Sequence, residues 1–455
     1  MISTERKIGV IGGGPAGIAA ALQLKKLNFK VLLFEASKHD QITIGEHLAA
    51  EAMHEFKKLG IPEHIVKNNS IPCTEVQSSW GHADLHHNES IFNPFGAGFI
   101  LSRPDFDAKL LDHCSDVGID TKLGSRISKI TKTTTGWDLY HNNTVIPVDF
   151  IIDASGRNSK FNFDSSITKE KENQLIGITK HVKTNSKTPI KSSHLLVEST
   201  SNGWWYTVQI ANGTVVSTFM TDAKVLKASN ISSSDFWDLQ LATSSHTKAR
   251  LQVFEIPKKT YIKSAHSHLA TSMHGNQWLK VGDAAQSFDP LSSAGILKGL
   301  KMGQQAANAI YKHANGNADA YTHYEGEITK QHKEYKQLKA QYYAKESRWL
   351  QHSFWYERNL QLKEIQHFTI SPLSSLHINR FVSEEQIAFL QTKLPGINFN
   401  ILINCLQQNH LVKDAIYLYM QKMKATQMNP WLLHALESLK IIGVISTKVK
   451  KVAVN

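Results

Sequence analysis

The chain has 455 residues, enough for two or three domains rather than a single core. Its hydrophobic content of 41% is typical of a globular protein, and no run of about 20 apolar residues is present that could cross a membrane. The N-terminus leads into an apolar strand without a secretory cleavage site, and the three cysteines have neither disulfide nor metal-ligand spacing. We therefore expect a cytoplasmic protein with no membrane span and no bound metal.

The formal net charge is +12, and much of the excess lies late in the chain. Residues 330–455 contain 17 Lys and Arg but only 8 Asp and Glu. These basic residues are dispersed rather than clustered. They therefore indicate a solvated surface or an acidic protein partner, and no nucleic acid.

The first 35 residues alternate between apolar runs and glycines. Lys7–Ile11 is typical of a buried parallel strand, residues 18–24 are good helix formers, and residues 31–34 form a second apolar run. Glycines after the first strand allow a tight turn and the close approach of a pyrophosphate to a helix N-terminus. An acidic residue after the second strand can accept ribose hydroxyls. The pattern predicts a dinucleotide site made by Gly12, Gly14, Pro15, Ala16, Gly17 and Glu35.

Two later segments offer contacts to the same ligand. Arg103 precedes a helix-like stretch, residues 106–113, where a guanidinium and a helix dipole could meet pyrophosphate oxygens. A surface arginine at a helix start is the alternative. Phe150–Asp153 is a predicted strand that ends in a small-residue turn, which makes Asp153 and Gly156 further candidates.

The middle of the chain is predicted to form an antiparallel sheet. Residues 194–198, 205–210 and 214–219 have strand composition, and Asn212-Gly213 is a hairpin signal. Residues 80–86 alternate like a strand, which favours a strand over a metal site for the histidines there. Aromatic residues in this region could contact a substrate or pack within the sheet, and these are Trp80, Trp204, Trp205 and Tyr206.

A second glycine-rich segment appears almost three hundred residues after the first. Residues 278–281 are a predicted strand, and Asp289-Pro290 then interrupts the chain before a predicted helix, residues 296–310. Backbone N–H groups at the start of that helix would favour negative charge on a reduced flavin ring. Both glycine segments together indicate FAD. The second contributes the candidates Gly282, Asp283, Pro290, Ser293, Ala294, Gly295 and Ile296.

Through these segments the chain resembles the flavin-dependent monooxygenase and halogenase superfamily of the para-hydroxybenzoate hydroxylase fold. It is most similar to the QhpG- and LodB-type flavoproteins of tryptophylquinone cofactor biogenesis, over roughly residues 5–358. Matching segments are residues 44–48, 79–81, 93–96, 103–107, 203–206, 221–222, 282–295, 342–343, 346–349 and 354–355.

The resemblance implies an α/β fold. We expect a Rossmann-like FAD-binding domain of the glutathione reductase type, an inserted antiparallel β-sheet substrate domain and a mainly helical C-terminal region. The expected FAD-binding parts are residues 1–70, 100–175 and 265–330, and the substrate sheet comprises 71–99 and 176–264. Packing helices follow over 331–375, and a small helical, winged-helix-like domain over 376–455.

The resemblance also implies an activity. It is the hydroxylation of a tryptophan side chain in a partner protein or peptide, through a flavin C4a-hydroperoxide, during CTQ-type quinone cofactor biogenesis. Alternatives are a hydroxylase or halogenase of a free small aromatic or indole substrate, and a non-catalytic flavin-binding maturation chaperone. Halogenases carry a lysine a few tens of residues after the Gly-Glu element, whereas no lysine lies between Lys67 and Lys109 here. Trp204 and Trp205 are adjacent, unlike the halogenase Trp-x-Trp-x-Ile-Pro signature. Both departures favour oxygen insertion.

The Gly45-Glu46-His47 element should lie beside the flavin ring. Gly45 is then a cofactor contact, and His47 or Glu46 could accept the proton released from the substrate. A purely positional role is the alternative for both. Since only one dinucleotide fingerprint is present, we expect electrons from NAD(P)H or from a separate flavin reductase, with O₂ as co-substrate.

The C-terminal third is predicted to be mainly helical. Residues 319–355 are charged and aromatic and predict long helices, and residues 411–423 and 432–442 are amphipathic. Residues 443–449 predict a final strand. This order resembles a small winged helix, which could dock a protein substrate or cap the enzyme.

Overall fold

The computed structural model describes two compact units, residues 1–356 and residues 357–455. In the first unit it describes residues 6–38, 44–68, 70–161, 163, 169–171, 174–183 and 193–356. In the second it describes 357–358, 375–378, 384–394, 396–424, 432, 435, 436, 439 and 445–448. Among these residues, no helix is both long and apolar enough to cross a membrane.

A six-stranded sheet lies at the centre of the first unit and is parallel except at one edge. Its order is β20-β21-β12-β1-β2-β8, with β20 antiparallel to β21. The short apolar runs predicted in the sequence form its middle strands, as expected for a sheet that is buried on both faces. Its strands are β1 (Lys7–Ile11), β2 (Lys30–Phe34), β8 (Asp120–Lys122), β12 (Phe150–Asp153), β20 (His274–Gly275) and β21 (Trp278–Lys280).

Nine helices are described in the first unit before residue 345, and residues 353–356 are also helical. The longest three are α4, α8 and α9. The helices are α1 (Pro15–Lys26), α2 (Ala52–Leu59), α3 (Glu63–Lys67), α4 (Arg103–Asp116), α5 (Ala223–Ser229), α6 (Ser233–Thr243), α7 (His246–Leu251), α8 (Gly295–Ala314) and α9 (Ala320–Ala344).

A seven-stranded sheet forms the second layer of this unit. Its order is β18-β14-β17-β16-β15-β5-β6, and all neighbours are antiparallel except β15 and β5. The predicted hairpin at Asn212-Gly213 joins two of its central strands. Its strands are β5 (Glu75–Ser79), β6 (His86–Glu89), β14 (Leu175–Val182), β15 (His194–Thr200), β16 (Gly203–Gln209), β17 (Val215–Asp222) and β18 (Tyr261–Ser264).

Three small sheets complete the first unit, and each has three strands. One joins β3 (His47–Leu48), β7 (Gly98–Leu101) and β4 (Ser70–Cys73). Another joins β9 (Ile127–Lys132), β10 (Trp137–His141) and β11 (Thr144–Val148). The third joins β13 (Lys169–Lys171), β19 (His268–Ala270) and β22 (Gln286–Ser287). Short 3₁₀ turns occur at Ser90–Phe92, Gly282–Ala284 and Pro290–Ser292.

The seven-stranded sheet has two different faces, because successive side chains of a strand point to opposite sides. On one face, Trp205 packs edge-on against Trp237 of α6, with ring centroids 4.9 Å apart. That face is covered by α6 and belongs to an apolar cluster with Phe219 and Phe236. The opposite face carries Tyr206 and its neighbours, in a separate cluster that includes the end of α9.

Helices α1 and α8 approach each other closely because small residues line their contact. A Cβ atom placed on Gly303 of α8 would lie 2.3 Å from the carbonyl oxygen of Ala16 in α1. Ala16, Ala19 and Ala20 are buried on the facing side. This contact fixes the N-terminal ends of the two helices relative to each other.

The predicted strand over residues 80–86 is wrong. Strand β5 ends at Ser79, and the chain turns before β6 begins at His86. Gly81 takes a left-handed conformation with φ of +79°, and its N–H donates to Glu346 at 2.8 Å. The alternation of residue types is therefore overridden by a turn that Glu346, two residues after α9, holds in place. His86 and His87 lie on the edge strand β6, and His87 pairs with Glu75.

The second unit has three described helices and a two-stranded antiparallel sheet. Its core is apolar and includes Leu402, Leu406 and Leu436. The final strand was predicted, and its partner is the strand that precedes the helices. Part of the predicted helix 432–442 lies outside the described residues. The elements are β23 (Ser375–Ile378), α10 (Glu384–Lys393), α11 (Phe399–Gln407), α12 (Val412–Lys422) and β24 (Ile445–Lys448).

Candidate active site

A cavity of about 600 Å³ lies in the first unit, between the parallel sheet and the seven-stranded sheet. Both glycine-rich segments reach it, although almost three hundred residues separate them in the chain. From the sequence-predicted set, its lining includes Gly14, Pro15, Ala16, Gly45, His47, Arg103, Gly156, Tyr206, Gly282, Asp283, Pro290, Ser293, Ala294, Gly295 and Ile296.

The first glycine segment forms the turn between β1 and α1. Gly12 has φ of +115°, and a Cβ atom there would lie 2.2 Å from the carbonyl oxygen of Ala154. Gly17 is equally restricted, since its Cβ would lie 1.9 Å from the oxygen of Gly12. Gly12 and Gly17 therefore shape the turn without lining the cavity. The N-terminal end of α1, with its unsatisfied N–H groups, faces the cavity through Gly14 and Ala16.

Glu35 follows β2 and holds the neighbouring backbone. Its carboxylate accepts hydrogen bonds from the N–H groups of Gly13 at 2.7 Å and Ser37 at 2.6 Å. Ser37 lines the cavity, whereas Glu35 does not. This places the carboxylate beside the edge of the cavity next to α1.

The second glycine segment builds the part of the cavity floor that adjoins α1, since a Cβ atom on Gly282 would lie 2.5 Å from that of Ala16. Ser293 takes a left-handed conformation with φ of +48°, which turns the chain into α8 at Gly295. Added Cβ atoms on Gly14, Gly156 and Gly295 would meet no atom within 4 Å. These three glycines line the cavity, so their missing side chains leave space for a ligand.

Asp283 lies between two cations rather than alone. Its carboxylate is 2.7 Å from Nζ of Lys298 and 3.1 Å from Nη2 of Arg157. Burial by itself would raise the pKa of Asp283, but the charges of Lys298 and Arg157 outweigh it and lower the pKa to about 2. The carboxylate therefore stays ionised, and it holds Arg157 at the cavity wall and Lys298 behind it.

Asp153 supports the wall from behind. It is fully buried and accepts hydrogen bonds from the N–H of Ser155 at 3.0 Å, and from the hydroxyls of Ser155 and Ser159 at 2.6 Å each. Asp153 does not line the cavity, whereas Gly156 in the turn that it stabilises does.

Arg103 begins α4 and lines the cavity, but its main partners are protein groups. Its guanidinium makes a two-point contact with Asp107, at 3.2 and 3.0 Å. It also donates to the carbonyl oxygens of Ile44 at 3.2 Å and Gly45 at 3.0 Å. Arg103 thus anchors the Gly-Glu-His element beside the cavity.

Within that element, His47 lines the cavity and Glu46 lies behind it. Burial lowers the pKa of His47 to about 4, so its imidazole is neutral near pH 7. Burial raises the pKa of Glu46, against the opposing effect of Arg103. Among the described residues, neither Nδ1 of His47 nor Oε1 of Glu46 has a hydrogen-bond partner. Both are buried polar atoms next to a ligand-sized space.

Of the four predicted substrate residues, all of them described, Tyr206 alone lines the cavity. Trp205 points to the opposite face of the sheet and is fully buried there. Trp204 donates from Nε1 to the hydroxyl of Tyr343 at 3.1 Å, and Trp80 donates to the carbonyl of Tyr342 at 2.8 Å. These tryptophans pack within the protein, which was the alternative interpretation of the sequence.

Sequence reasoning missed several cavity residues. Arg157 directly follows Gly156, so the motif itself could have indicated it. Lys298 does not line the cavity but is buried behind it, where it contacts Asp283; it lies one helical turn after Gly295, so a helical period starting at the glycines could have found it. Gly177 and Met220 face each other across two strands, and Lys263 lies on β18. No signal in the sequence marks these last three.

The residues present fit a flavin dinucleotide. The N-termini of α1 and α8 face one cavity, three glycines leave room in it, and buried polar atoms beside it, such as Nδ1 of His47, have no hydrogen-bond partner among the described residues. The FAD binding domain family matches residues 5–380 of the chain. The chain belongs to this family. It is an FAD-dependent oxidoreductase of the monooxygenase and halogenase superfamily, which confirms the predicted fold and cofactor.

The chain is similar to one protein in sequence and to two proteins in structure, as follows. A putative FAD-dependent oxidoreductase, LodB, from Marinomonas mediterranea is 29% identical over 358 residues, covering 77% of this chain and 96% of that protein. The flavin-dependent halogenase CmlS has a TM-score of 0.71 at 16% identity, covering 99% of this chain and 97% of its own. The peptidyl tryptophan dihydroxylase QhpG, essential for tryptophylquinone cofactor biogenesis, has a TM-score of 0.66 at 18% identity, covering 96% and 99%. The two structures share the fold of this chain.

Proposed function

We propose that this protein is an FAD-dependent monooxygenase that hydroxylates a tryptophan side chain of a partner polypeptide during formation of a quinone cofactor. One observation carries the proposal. The glycine-lined space and the sheet face with Tyr206 form a single cavity, so an aromatic ring beside Tyr206 would lie next to the cofactor. The likeness to LodB and to QhpG supports tryptophan as that ring.

Bound FAD would supply two electrons and activate O₂ for transfer of one oxygen atom. Gly14, Gly156 and Gly295 leave the space for it, and the N-termini of α1 and α8 favour its negative charges. Glu35, at the edge of the cavity, would hold its ribose.

The remaining cavity residues would act on the substrate. Tyr206 and Met220 form a wall against which an indole can pack. Gly177 has no side chain, so it leaves the space beside Met220 open. Neutral His47 can hydrogen-bond without adding charge to the cavity. Exclusion of water by this wall favours oxygen transfer to the substrate over release of hydrogen peroxide.

A halogenase is the second candidate, and one observation favours it. Lys263 of β18 is exposed and lines the cavity, although strand β5 carries no lysine. A cavity lysine could handle an oxidised halide. The two candidates make different predictions for Lys263→Ala. In a halogenase the variant should lose halide transfer to the substrate, whereas in a hydroxylase the oxygenation of the substrate should remain.

The partner is proposed to be a polypeptide, and the reaction is proposed to occur in the cytoplasm. Cys73, Cys114 and Cys405 are all buried free thiols, which suits a reducing compartment. The basic residues of the second unit would favour an acidic partner surface. NAD(P)H or a separate flavin reductase is the proposed source of electrons.

Intact-mass spectrometry tests the proposal. The protein, loaded with FAD, is incubated with each polypeptide encoded beside its gene, a reductant and O₂. We expect the mass of one polypeptide to rise by one or two oxygen atoms, located on a tryptophan by fragmentation. Unchanged masses together with turnover of free indole would reject the partner substrate. A mass gain that requires chloride or bromide would identify a halogenase instead.

A further inference from the structure

The seven-stranded sheet ends at β18, and this edge strand borders the cavity. β18 pairs with β14 on one side, and no described strand pairs with its other side. Lys263 and Ser264 of β18 line the cavity, whereas no residue of β6, the strand at the opposite edge, does so. The cavity therefore reaches one edge of the sheet and not the other.

The outer side of β18 carries backbone groups that can form hydrogen bonds. In an antiparallel pair, successive residues of an edge strand turn their N–H and C=O alternately toward the neighbouring strand and away from it. Ala265 donates its N–H to β14 at 2.8 Å, so the alternation turns Ser264 inside out and Ile262 with it. The Ser264 carbonyl accepts from Arg157 at 3.0 Å. The N–H of Ser264 and both backbone groups of Ile262 have no partner among the described residues.

This edge is also basic. Lys258, Lys259 and Lys263 are all exposed, and residues 257–264 contain no acidic side chain. A second copy of this chain, paired along the same edge, would bring lysines against lysines. Like charges on neighbouring strands are unfavourable, which disfavours such a pairing. An acidic segment would meet opposite charge instead.

We propose that the outer side of β18 binds an acidic, extended segment of the partner polypeptide as an additional strand of the sheet. This deepens the proposed function and rests on it, since the cavity beside the edge would hold a tryptophan of the same polypeptide. An extended chain offers alternating N–H and C=O groups, which match those that β18 turns outward. Acidic side chains opposite Lys263 would lie on the cavity side of the added strand. Apolar ones would cover Ile262, which is 48% exposed.

One substitution separates strand addition from other modes of binding. Ile262→Pro deletes an N–H that faces away from β14, so the sheet keeps its own hydrogen bonds. The matched control is Glu89→Pro on β6, at the opposite edge. The N–H of Ser90 donates to the Thr74 carbonyl at 2.8 Å, so the same alternation turns Glu89 outward, and its φ of −80° suits proline.

A binding measurement tests the inference without turnover. The probe is a rhodamine-labelled peptide of alternating glutamate and valine with one tryptophan at its end, titrated into FAD-loaded full-length protein and followed by fluorescence anisotropy. We expect the wild type and Glu89→Pro to bind it equally, and Ile262→Pro to bind at least about fivefold more weakly, the value of one hydrogen bond. Lys259→Glu should also weaken binding, and a peptide with lysine in place of glutamate should not bind. Hydrogen exchange of residues 260–264 should slow when the acidic peptide is added.

Titration with FAD shows whether each variant keeps its fold. If Ile262→Pro does not, N-methylation of alternate peptide residues provides the same test, because only one of the two registers removes the N–H groups that face β18. Equal affinity of the wild type and Ile262→Pro, equal binding of the lysine peptide, or no binding of the acidic peptide would overturn the inference.

The proposed function can fail separately. If the acidic peptide binds at β18 but no polypeptide gains oxygen, the proposed function is wrong and the binding edge stands. If the wild type and a folded Ile262→Pro oxygenate the partner polypeptide with the same KM, the binding edge is wrong and the proposed function stands.

Discussion

The two sides of the cavity are built from different materials. The floor beside α1 and α8 is made of backbone, with glycines that leave space and helix N-termini that provide N–H groups. The wall on the seven-stranded sheet is made of side chains, with Tyr206 and Met220 from neighbouring strands. A backbone-built floor depends on conformations that only a few residue types permit, so it leaves a motif in the sequence. A wall of side chains depends on which strands become neighbours in the sheet, so it leaves no motif in the sequence.

The sheet itself allows the sharpest comparison, because Trp205 and Tyr206 are adjacent and point to opposite faces. Trp205 is fully buried against Trp237, so Trp205→Ala should lower the free energy of unfolding by about 3–5 kcal/mol. Tyr206→Phe removes only a hydroxyl that has no hydrogen-bond partner among the described residues, so its effect should stay below about 1 kcal/mol. Urea denaturation at a fixed FAD concentration measures both. Similar losses for the two variants would contradict the assignment of faces.

Sequence reasoning succeeded where local chemistry decides the structure. Gly12, Gly17 and the turn before α8 were predictable, because positive φ angles and close backbone contacts restrict those positions to glycine or a few polar residues. It failed over residues 80–86, where a contact with Glu346, which follows α9, overrides the alternation. It also grouped Trp204, Trp205 and Tyr206 as one aromatic set, although period two sends the middle residue to the other face.

The next prediction concerns His47, at the border between floor and wall. Its pKa in the folded protein is lowered to about 4 from 6.5, so between these values the unfolded chain binds more protons than the folded one. Stability should therefore rise as the pH increases from 4 to 6.5, by on the order of 2 kcal/mol from this residue. His47→Asn should lack that rise when unfolding is followed across this range. If the free energy of unfolding of His47→Asn rises with pH as steeply as that of the wild type, the His47 side chain is exposed to water rather than buried in the wall.

On the floor, one helix offers a matched pair of glycines. Gly303→Ala would press a methyl group onto the Ala16 carbonyl, 2.3 Å away, and should cost about 2 kcal/mol of stability by forcing α1 and α8 apart. Gly295→Ala meets no protein atom, so the fold should keep its stability while the methyl group occupies cofactor space. Thermal unfolding and titration with FAD separate these outcomes. If Gly295→Ala binds FAD as the wild type does, α8 does not form the floor of the site.

The smallest effect is expected for Glu46→Gln, and its sign distinguishes it from its neighbour His47. Burial raises the pKa of Glu46 in the folded protein above its usual 4.5, so above pH 4.5 the folded protein binds more protons than the unfolded chain. The stability that the protonated Glu46 side chain contributes is fully present below pH 4.5, and it is lost as the pH rises through the pKa of Glu46 in the folded protein. Glutamine never ionises, so the variant should gain stability relative to the wild type as the pH rises, in the direction opposite to His47→Asn. Because Arg103 opposes the shift, we expect a smaller change than for His47. If the free energies of unfolding of Glu46→Gln and the wild type change in parallel from pH 4 to 8, Glu46 is an ordinary ionised carboxylate in the folded protein and burial does not raise its pKa.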